Sequence, residues 1–379
     1  MRIGVFQTRF TGVGGAETVI ARTIRELPHH HWTLYVLSYD QATVERYYPE
    51  MRGVPVIRIP SGGRPRWPST LLRPEVDDLL AVRAFRAYLR SHPPDEDLVV
   101  AHLPFSTVLS RLSDRPSLWY CHCYAKYLHE EWVQKEIEGV LGPTPLWARV
   151  LRSYLRGVEG EAARSFGKIL CNSAHTRGKL RSAFGVEAEV CFPGTDPPAA
   201  VSPPSGTTFL IPSRLVHYKR ADVAVRAMAL LRDVPEARLR IVGDGPFKET
   251  LRTLAASLGL ATVEFADFAE DVGAEYDRAL AVLYLPRDED FGIVPVEAMA
   301  HGRPVIAADD GGLRETVIDG VTGYLVPPTP EEVAGRMRAL LADRALTATM
   351  GWKGRERAGD FTWKRFARQF DETVREVAR

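Results

Sequence analysis

Cysteine is scarce in this chain: four among 379 residues, at Cys121, Cys123, Cys171 and Cys191. Their spacing makes neither a disulfide framework nor paired zinc-ligand dyads, so a stapled secreted scaffold is excluded and a reducing cytoplasm is the expected home. Long apolar runs are missing as well. No stretch approaches the roughly 18 consecutive apolar residues that a spanning helix needs. The opening Met1-Arg2-Ile3-Gly4-Val5-Phe6 lacks the apolar core and small-residue cleavage site of a signal peptide and reads as a strand start. An excess of either charge is absent too. Lys+Arg number 49 against 48 Asp+Glu, a net charge of +1, so no global field favours nucleic acid as a partner.

What is present is an ordinary globular composition, 45% apolar and 26% charged, over a length that favours about two domains. The pattern is that of an α/β protein. Arg2 to Gln7 reads as a buried strand, Thr11-Gly12-Val13-Gly14-Gly15 as a glycine loop, 16–27 as a helix and 32–39 as the next strand. The same alternation returns later, with strands at 208–212, 238–243, 262–265 and 281–285 and helices at 221–231 and 247–258. Short apolar strands alternating with amphipathic helices predict parallel sheets covered on both faces, and the repetition predicts two doubly wound domains. The Pro- and Gly-rich stretch 192–206 reads as a linker. It separates an N-terminal domain (1–191) from a C-terminal one (207–360), and 361–379 reads as a final amphipathic helix that returns to the first domain.

The most informative window is Pro286-Arg287-Asp288-Glu289-Asp290-Phe291-Gly292-Ile293-Val294-Pro295-Val296-Glu297. It follows a strand and opens a helix, the place where open α/β sheets bind ligands. Backbone N–H groups around Phe291, Gly292 and Ile293 would leave a helix N-terminus and suit a phosphate. Glu289 in the loop and Glu297 in the helix place one carboxylate for a sugar and the other for a ribose diol. A plain strand–loop–helix with solvated acids is the competing explanation. A second window, Ser213-Arg214-Leu215-Val216-His217-Tyr218-Lys219-Arg220, puts Arg214 and Lys219 in one loop, where they can converge on a diphosphate and stabilise a leaving group. An exposed basic loop would look the same in isolation.

Taken in order, Ser213-Arg214 to Lys219-Arg220, Gly243-Asp244-Gly245-Pro246 and Glu289–x7–Glu297 with Phe291-Gly292 resemble the donor half of the retaining GT-B glycosyltransferases of family four. Gly14-Gly15-Ala16-Glu17 and Trp119-Tyr120-Cys121-His122 resemble the acceptor half, so the likeness covers essentially the whole chain. It implies two Rossmann-like domains facing across a cleft that holds a nucleotide-diphosphate sugar. It implies a retaining, metal-independent hexosyl transfer with no cofactor, through a front-face, oxocarbenium-like path.

Carried over residue by residue, the likeness gives Arg214 and Lys219 the diphosphate, Glu289 the donor sugar and Glu297 the ribose. Phosphate oxygens would meet the amides of Phe291, Gly292 and Ile293. Gly243 falls to the donor-binding set, and Gly14 and Gly15 let the first loop approach the diphosphate. His122 would hydrogen-bond a sugar hydroxyl near the anomeric carbon. After that histidine the family often carries a proline-containing stretch, whereas this chain has Cys123-Tyr124-Ala125. Arg214 to Asp222 and Trp119-Tyr120-Cys121-His122 resemble branches that use GDP-mannose, with UDP-sugars open, and the implied acceptor is a saccharide.

Other motifs are weaker. Gly12-Val13-Gly14 begins a dinucleotide fingerprint, but Glu17 occupies its third glycine position and would repel a pyrophosphate. Asp288-Glu289-Asp290 mimics a D-x-D metal motif but sits inside the Glu frame, where Arg214 and Lys219 supply positive charge. Cys121-His122-Cys123 reads as strand, with neighbours on opposite faces, and not as zinc ligands. His29-His30-His31 reads as a solvated loop. Arg58, Arg64, Arg66, Trp67 and Arg73 flank a Gly/Pro-rich loop, and Arg149, Arg152 and Arg156 recur at helical spacing. Together they suggest a lipid-linked acceptor and peripheral docking on the inner face of the plasma membrane. An amphipathic helix with a solvated basic face explains that spacing as well. A sugar-nucleotide epimerase of the same architecture and a non-catalytic sugar-nucleotide-binding protein are the alternative functions.

Overall fold

The computed structural model describes residues 1–61, 73–111, 113–267, 269 and 271–379. The chain divides into two compact units, Met1–Phe192 with Lys364–Arg379, and Pro193–Trp363.

In the first unit the strands are β1 (Arg2–Phe10), β2 (His31–Tyr39), β3 (Val56–Arg58), β4 (Leu98–Ala101), β5 (Ser117–Cys121), β6 (Lys168–Cys171) and β7 (Glu189–Val190). The helices are α1 (Gly15–Glu26), α2 (Gln41–Tyr47), α3 (Pro74–Ser91), α4 (Lys126–His129), α5 (Glu131–Leu141), α6 (Leu146–Ala163) and α7 (Ala174–Phe184). The strands lie in the order β3-β2-β1-β4-β5-β6-β7, every pair parallel. Leu98-Val99-Val100-Ala101 shows why: all four residues of β4 are buried, so both faces of the strand meet protein and none needs a polar side chain. On one face Phe6 stacks on Tyr35 at 4.3 Å and packs near Phe85 of α3.

The second unit repeats the design with β8 (Thr208–Pro212), α8 (Ala221–Ala229), β9 (Arg238–Val242), α9 (Lys248–Ser257), β10 (Val263–Ala266), α10 (Val272–Arg278), β11 (Ala281–Tyr284), α11 (Ile293–Ala300), β12 (Val305–Ala308), α12 (Leu313–Thr316), β13 (Gly323–Val326), α13 (Pro330–Ala342) and α14 (Arg344–Ala358). Its order, β10-β9-β8-β11-β12-β13, is again parallel throughout. Each sheet reverses its winding once, between β1 and β4 and between β8 and β11. Chain leaving those strand ends diverges to opposite sides and leaves a crevice, which makes the carboxyl ends of these four strands the places to look for chemistry.

Residues 192–206 contain no helix or strand beyond an isolated bridge from Thr195 to Thr362. The last helix, α15 (Trp363–Val377), packs on the first unit from Lys364 onward. Phe366 and Phe370 meet Tyr120 of β5, and the Gln369 amide donates to the Val190 carbonyl at 2.8 Å.

Two expectations need correction. His29-His30-His31 is not a solvated loop: His30 is buried, at 2.7 Å from Asp371 of α15, and His31 begins β2. A histidine that the chain reaches only through a residue 341 positions away could not be recognised locally. The basic stripe on α6 loses one member of three. Arg152 is buried against Glu75 of α3 at 2.5 Å, and the Arg156 guanidinium donates to the Leu128 carbonyl. Arg149 and Arg156 are exposed, and the outward face also carries apolar and aromatic side chains: Leu146, Trp147, Val150 and Tyr154. Arg73 is likewise buried, donating to the carbonyls of Gly142 and Pro143. Arg58 lies over the Tyr39 ring, while Arg64, Arg66 and Trp67 fall outside the described residues.

Candidate functional site

In the second unit the chain leaves β8 through Ser213 and Arg214 and makes a short 3-10 turn, His217–Lys219, before α8. That turn carries the Lys219 ammonium to the carboxyl end of β11. There it donates to the Tyr284 hydroxyl and to Glu289 Oε2, each at 2.7 Å. The lysine side chain is 13% exposed and the glutamate 19%, so the pair is largely withdrawn from water. Burial opposes the charge on Lys219, but Glu289 and the hydroxyls of Tyr284 and Tyr218 outweigh it and hold its pKa above the ordinary lysine value. Burial, and then Glu289, raise the Tyr284 phenol, so it stays protonated. Tyr284 and Tyr218 carry no motif, and sequence reading missed both.

Arg214 is exposed, with one long contact of 3.4 Å to the Tyr218 hydroxyl, and its fork remains open to solvent on the same loop. Gly243 lies beside this loop, where close packing requires it. At φ +144° a Cβ there would stand 2.0 Å from the Ser213 carbonyl oxygen. The glycine lets the β9 loop lie on the β8 loop, with Leu215 N–H bonded to the Asp244 carbonyl at 2.9 Å. Ser213, also unforeseen, is left with a buried hydroxyl that has no partner among the described residues.

The segment after β11 is fixed from several sides. Arg287 N–H bonds the Tyr218 carbonyl at 2.8 Å, Asp288 N–H bonds an Asp310 carboxylate oxygen at 3.1 Å, and Gly312 N–H bonds the Glu289 carbonyl at 2.8 Å. Gly311 and Gly312 are needed for that approach, since a Cβ on either would meet the backbone of Glu289 or Asp290 at 2.4 Å. The Asp309-Asp310-Gly311-Gly312 run was the available signal. Gly292, left-handed at φ +93°, caps α11, which begins at Ile293. Phe291 is buried against Phe361, so its side chain anchors the turn while the N–H groups of Gly292 and Ile293 occupy the first positions of the helix. One helical turn on, Glu297 accepts from the buried Tyr276 hydroxyl at 2.8 Å. Burial raises the Glu297 carboxyl to about 7, with Asp196 adding to the rise and the tyrosine opposing it. Arg214, Lys219, Glu289, Gly292, Ile293 and Glu297 thus gather at the carboxyl ends of β8 and β11. They form a cation pair, two carboxylates and a helix N-terminus, a set able to hold a diphosphate beside a polyol.

The first unit gathers different chemistry. Gly14 precedes α1 and is tied to Tyr48: its N–H donates to the tyrosine hydroxyl at 3.3 Å. A Cβ on Gly15 would meet nothing within 4 Å, so that helix start is open. His122 lies one residue beyond β5, not within a strand. Its carbonyl accepts from the Asn172 amide, and its Nε2 meets Nδ1 of His102 at 2.9 Å. His102 follows β4 and has no motif around it. Burial lowers both imidazoles, His122 to about 3, so both are neutral near pH 7.

Among the described residues, His29, His30 and Asp371 are the group with metal-ligand spacing; the two histidines precede β2, and Asp371 lies on α15. The 2.7 Å separation of His30 and Asp371, with Arg375 on the other carboxylate oxygen at 2.8 Å, is that of hydrogen-bonded partners. No helix among the described residues is long and apolar enough to cross a membrane.

Comparison with known proteins agrees with this division. Residues 13–197 match the family described as Glycosyltransferase Family 4, and residues 194–357 match Glycosyl transferases group 1. The chain is similar to a D-inositol 3-phosphate glycosyltransferase of Nocardiopsis dassonvillei, 35% identical over 56% of each chain. It is also similar to a GDP-mannose-dependent alpha-(1-6)-phosphatidylinositol monomannoside mannosyltransferase of Mycolicibacterium smegmatis. That enzyme is 36% identical over 57% of this chain and 63% of its own length. The matches thus span little more than half of these relatives. Among solved structures, a sucrose-phosphate synthase from Thermosynechococcus elongatus superposes with a TM-score of 0.79 at 22% identity, covering 99% of this chain and 98% of its own. That is a likeness of fold, and with the two family matches it places both units: the chain is a member of glycosyltransferase family 4, with the two Rossmann-like domains of the GT-B fold.

Proposed function

We propose that this chain transfers a hexose from a nucleotide-diphosphate sugar to a saccharide acceptor with retention at the anomeric carbon, without a metal ion. The observation that carries the reading is the Lys219–Glu289 pair, held with Tyr284 beside the start of α11. A diphosphate leaving group gathers negative charge as the glycosidic bond breaks. Lys219 and the exposed fork of Arg214 would meet that charge, and the N–H groups of Gly292 and Ile293 would add two neutral donors. Glu289 would orient the sugar hydroxyls and Glu297 the ribose. Neutral His122 suits a hydrogen bond to a hydroxyl better than a charge contact. With no carboxylate assigned as base, the departing diphosphate itself would take the acceptor proton.

GDP-mannose is the favoured donor, in keeping with the mannosyltransferase relative, and UDP-sugars are the second choice. A lipid-linked acceptor rests on the outward face of α6. Leu146, Trp147, Val150 and Tyr154 with Arg149 form an apolar, aromatic surface with a cation, a composition suited to a bilayer interface on the cytoplasmic side. The decisive experiment is a thermal-shift screen with GDP, UDP, ADP and their sugar conjugates, with and without divalent metal, followed by transfer assays. A selective, metal-independent shift supports the reading. No shift with any nucleotide would sink it.

A further inference from the structure

His102 has no part in the reading above, yet it makes the one side-chain hydrogen bond described for His122. It continues β4 immediately beyond Ala101, and its N–H bonds the Phe6 carbonyl of β1 at 3.2 Å. Ala101 pairs with Phe6 on one side and Trp119 on the other, so the next residues, His102, Gln7 and Tyr120, follow at one level of the sheet. The three aromatic rings form a compact group: His102 to Tyr120 at 5.8 Å, Tyr120 to His122 at 4.8 Å and His102 to His122 at 5.2 Å between centroids. His102 is 2% exposed and Gln7 is wholly buried, its amide oxygen and nitrogen both without partners among the described residues. His122 is only half-buried and is the member of the group that solvent reaches. Among the described residues no carboxylate is bonded to either ring, so no counter-ion there stabilises an imidazolium.

Two neutral imidazoles joined through one nitrogen each share a single proton across the bond. Nε2 of His122 is occupied by His102 in either case, and whether His102 Nδ1 carries the proton sets the tautomer of His122. The Nδ1 edge is then the one hydrogen-bonding edge left for a ligand, and the ring cannot flip without breaking the bond. We propose that His102 is a positioning residue which fixes the orientation and tautomer of His122, so that His122 meets a hexose hydroxyl through Nδ1 as a neutral group. This rests on the glycosyltransferase reading for its substrate, but the ring geometry behind it does not.

The test uses His102→Asn, whose side-chain amide can occupy the place of Nδ1, and His102→Leu, which fills space without a hydrogen bond. In histidine-labelled full-length protein, nitrogen spectra of the ligand-free wild type should show His122 as one tautomer. His102→Leu should show a mixture, and His102→Asn a single form again. With GDP-mannose or UDP-glucose, whichever the wild type uses, His102→Leu should lose at least tenfold in kcat with KM within about twofold. His102→Asn should recover most of that loss. Wild-type kcat in His102→Leu, or a single His122 tautomer without His102, overturns the inference. If the wild type transfers no sugar, the transferase reading fails, and the spectra still decide what His102 does to His122.

Discussion

The two units present the same strand ends and put opposite chemistry on them. At the end of β11 the polar groups are charged and paired, Lys219 against Glu289, with Glu297 able to ionise. At the ends of β4 and β5 the groups are neutral, two imidazoles that burial keeps from protonating. Since both sheets are parallel and wound alike, the backbone did not choose between these outcomes. The difference lies in whether a buried cation finds a counter-ion. Lys219 has one within hydrogen-bond reach and stays charged; among the described residues the rings of His102 and His122 bond only each other, and neutrality is the cheaper state. A diphosphate calls for the first kind of site and sugar hydroxyls for the second.

The sharpest way to break this comparison is Lys219→Ala. Removing a cation aimed at developing charge should lower kcat by about 100- to 1000-fold in steady-state assays, with the donor KM changed far less. Arg214→Ala, which removes an exposed group, should cost about tenfold. A pure rise in KM for either would mean the loop binds the donor without aiding departure.

Glycine replacements offer the next contrast. Gly243→Ala forces a Cβ onto the Ser213 carbonyl at a positive φ and should destabilise by about 2 kcal/mol or more, seen as a lowered Tm. Gly15→Ala meets open space at a helix start and should leave Tm unchanged or slightly raised. Equal losses at both would refute the packing reason given for Gly243.

A pH series separates the carboxylates. Glu297 has a folded pKa of about 7, raised from the ordinary 4.5, so the neutral form is favoured only below that pH. Its stabilising contribution is full below about pH 4.5 and is lost as pH rises through 7. Ribose binding through the carboxylate has the opposite sense: nucleotide affinity should increase by about tenfold between pH 6 and 8 as Glu297 ionises. Glu297→Gln should flatten that rise; an unchanged slope would assign the titration elsewhere. The smallest effect is expected at the surface. Trp147→Ser should leave Tm within about 1 °C yet weaken sedimentation with anionic vesicles, and undiminished vesicle binding would remove α6 from the membrane reading.

Much of the donor side was legible because its residues are close in sequence. Arg214 to Lys219 and Glu289 to Glu297 each fall in one strand–loop–helix passage, so local periodicity places them on a common sheet edge. The first unit was less legible. His122 was found through its neighbours Trp119-Tyr120-Cys121, but His102, 20 residues earlier, shares no motif with it and reaches it only because β4 and β5 are adjacent strands. Gly311 and Gly312 act on Glu289 across a strand pair in the same way. Arg152 and His30 were misread for one reason: helical spacing and polarity suggest solvent, while a partner far along the chain, Glu75 or Asp371, allows burial.

The sequence by itself determined the alternation of buried strands and amphipathic helices, and with it two parallel doubly wound sheets, because side-chain periodicity is a local property of the backbone. It also determined the loops that carry cations and carboxylates, since those residues are neighbours in the chain. Tertiary structure alone decided which of these groups are charged and which surface is apolar. Ionisation and burial depend on what lies within a few ångströms in space, and for Lys219, His122 and Arg152 those neighbours come from other elements of the fold.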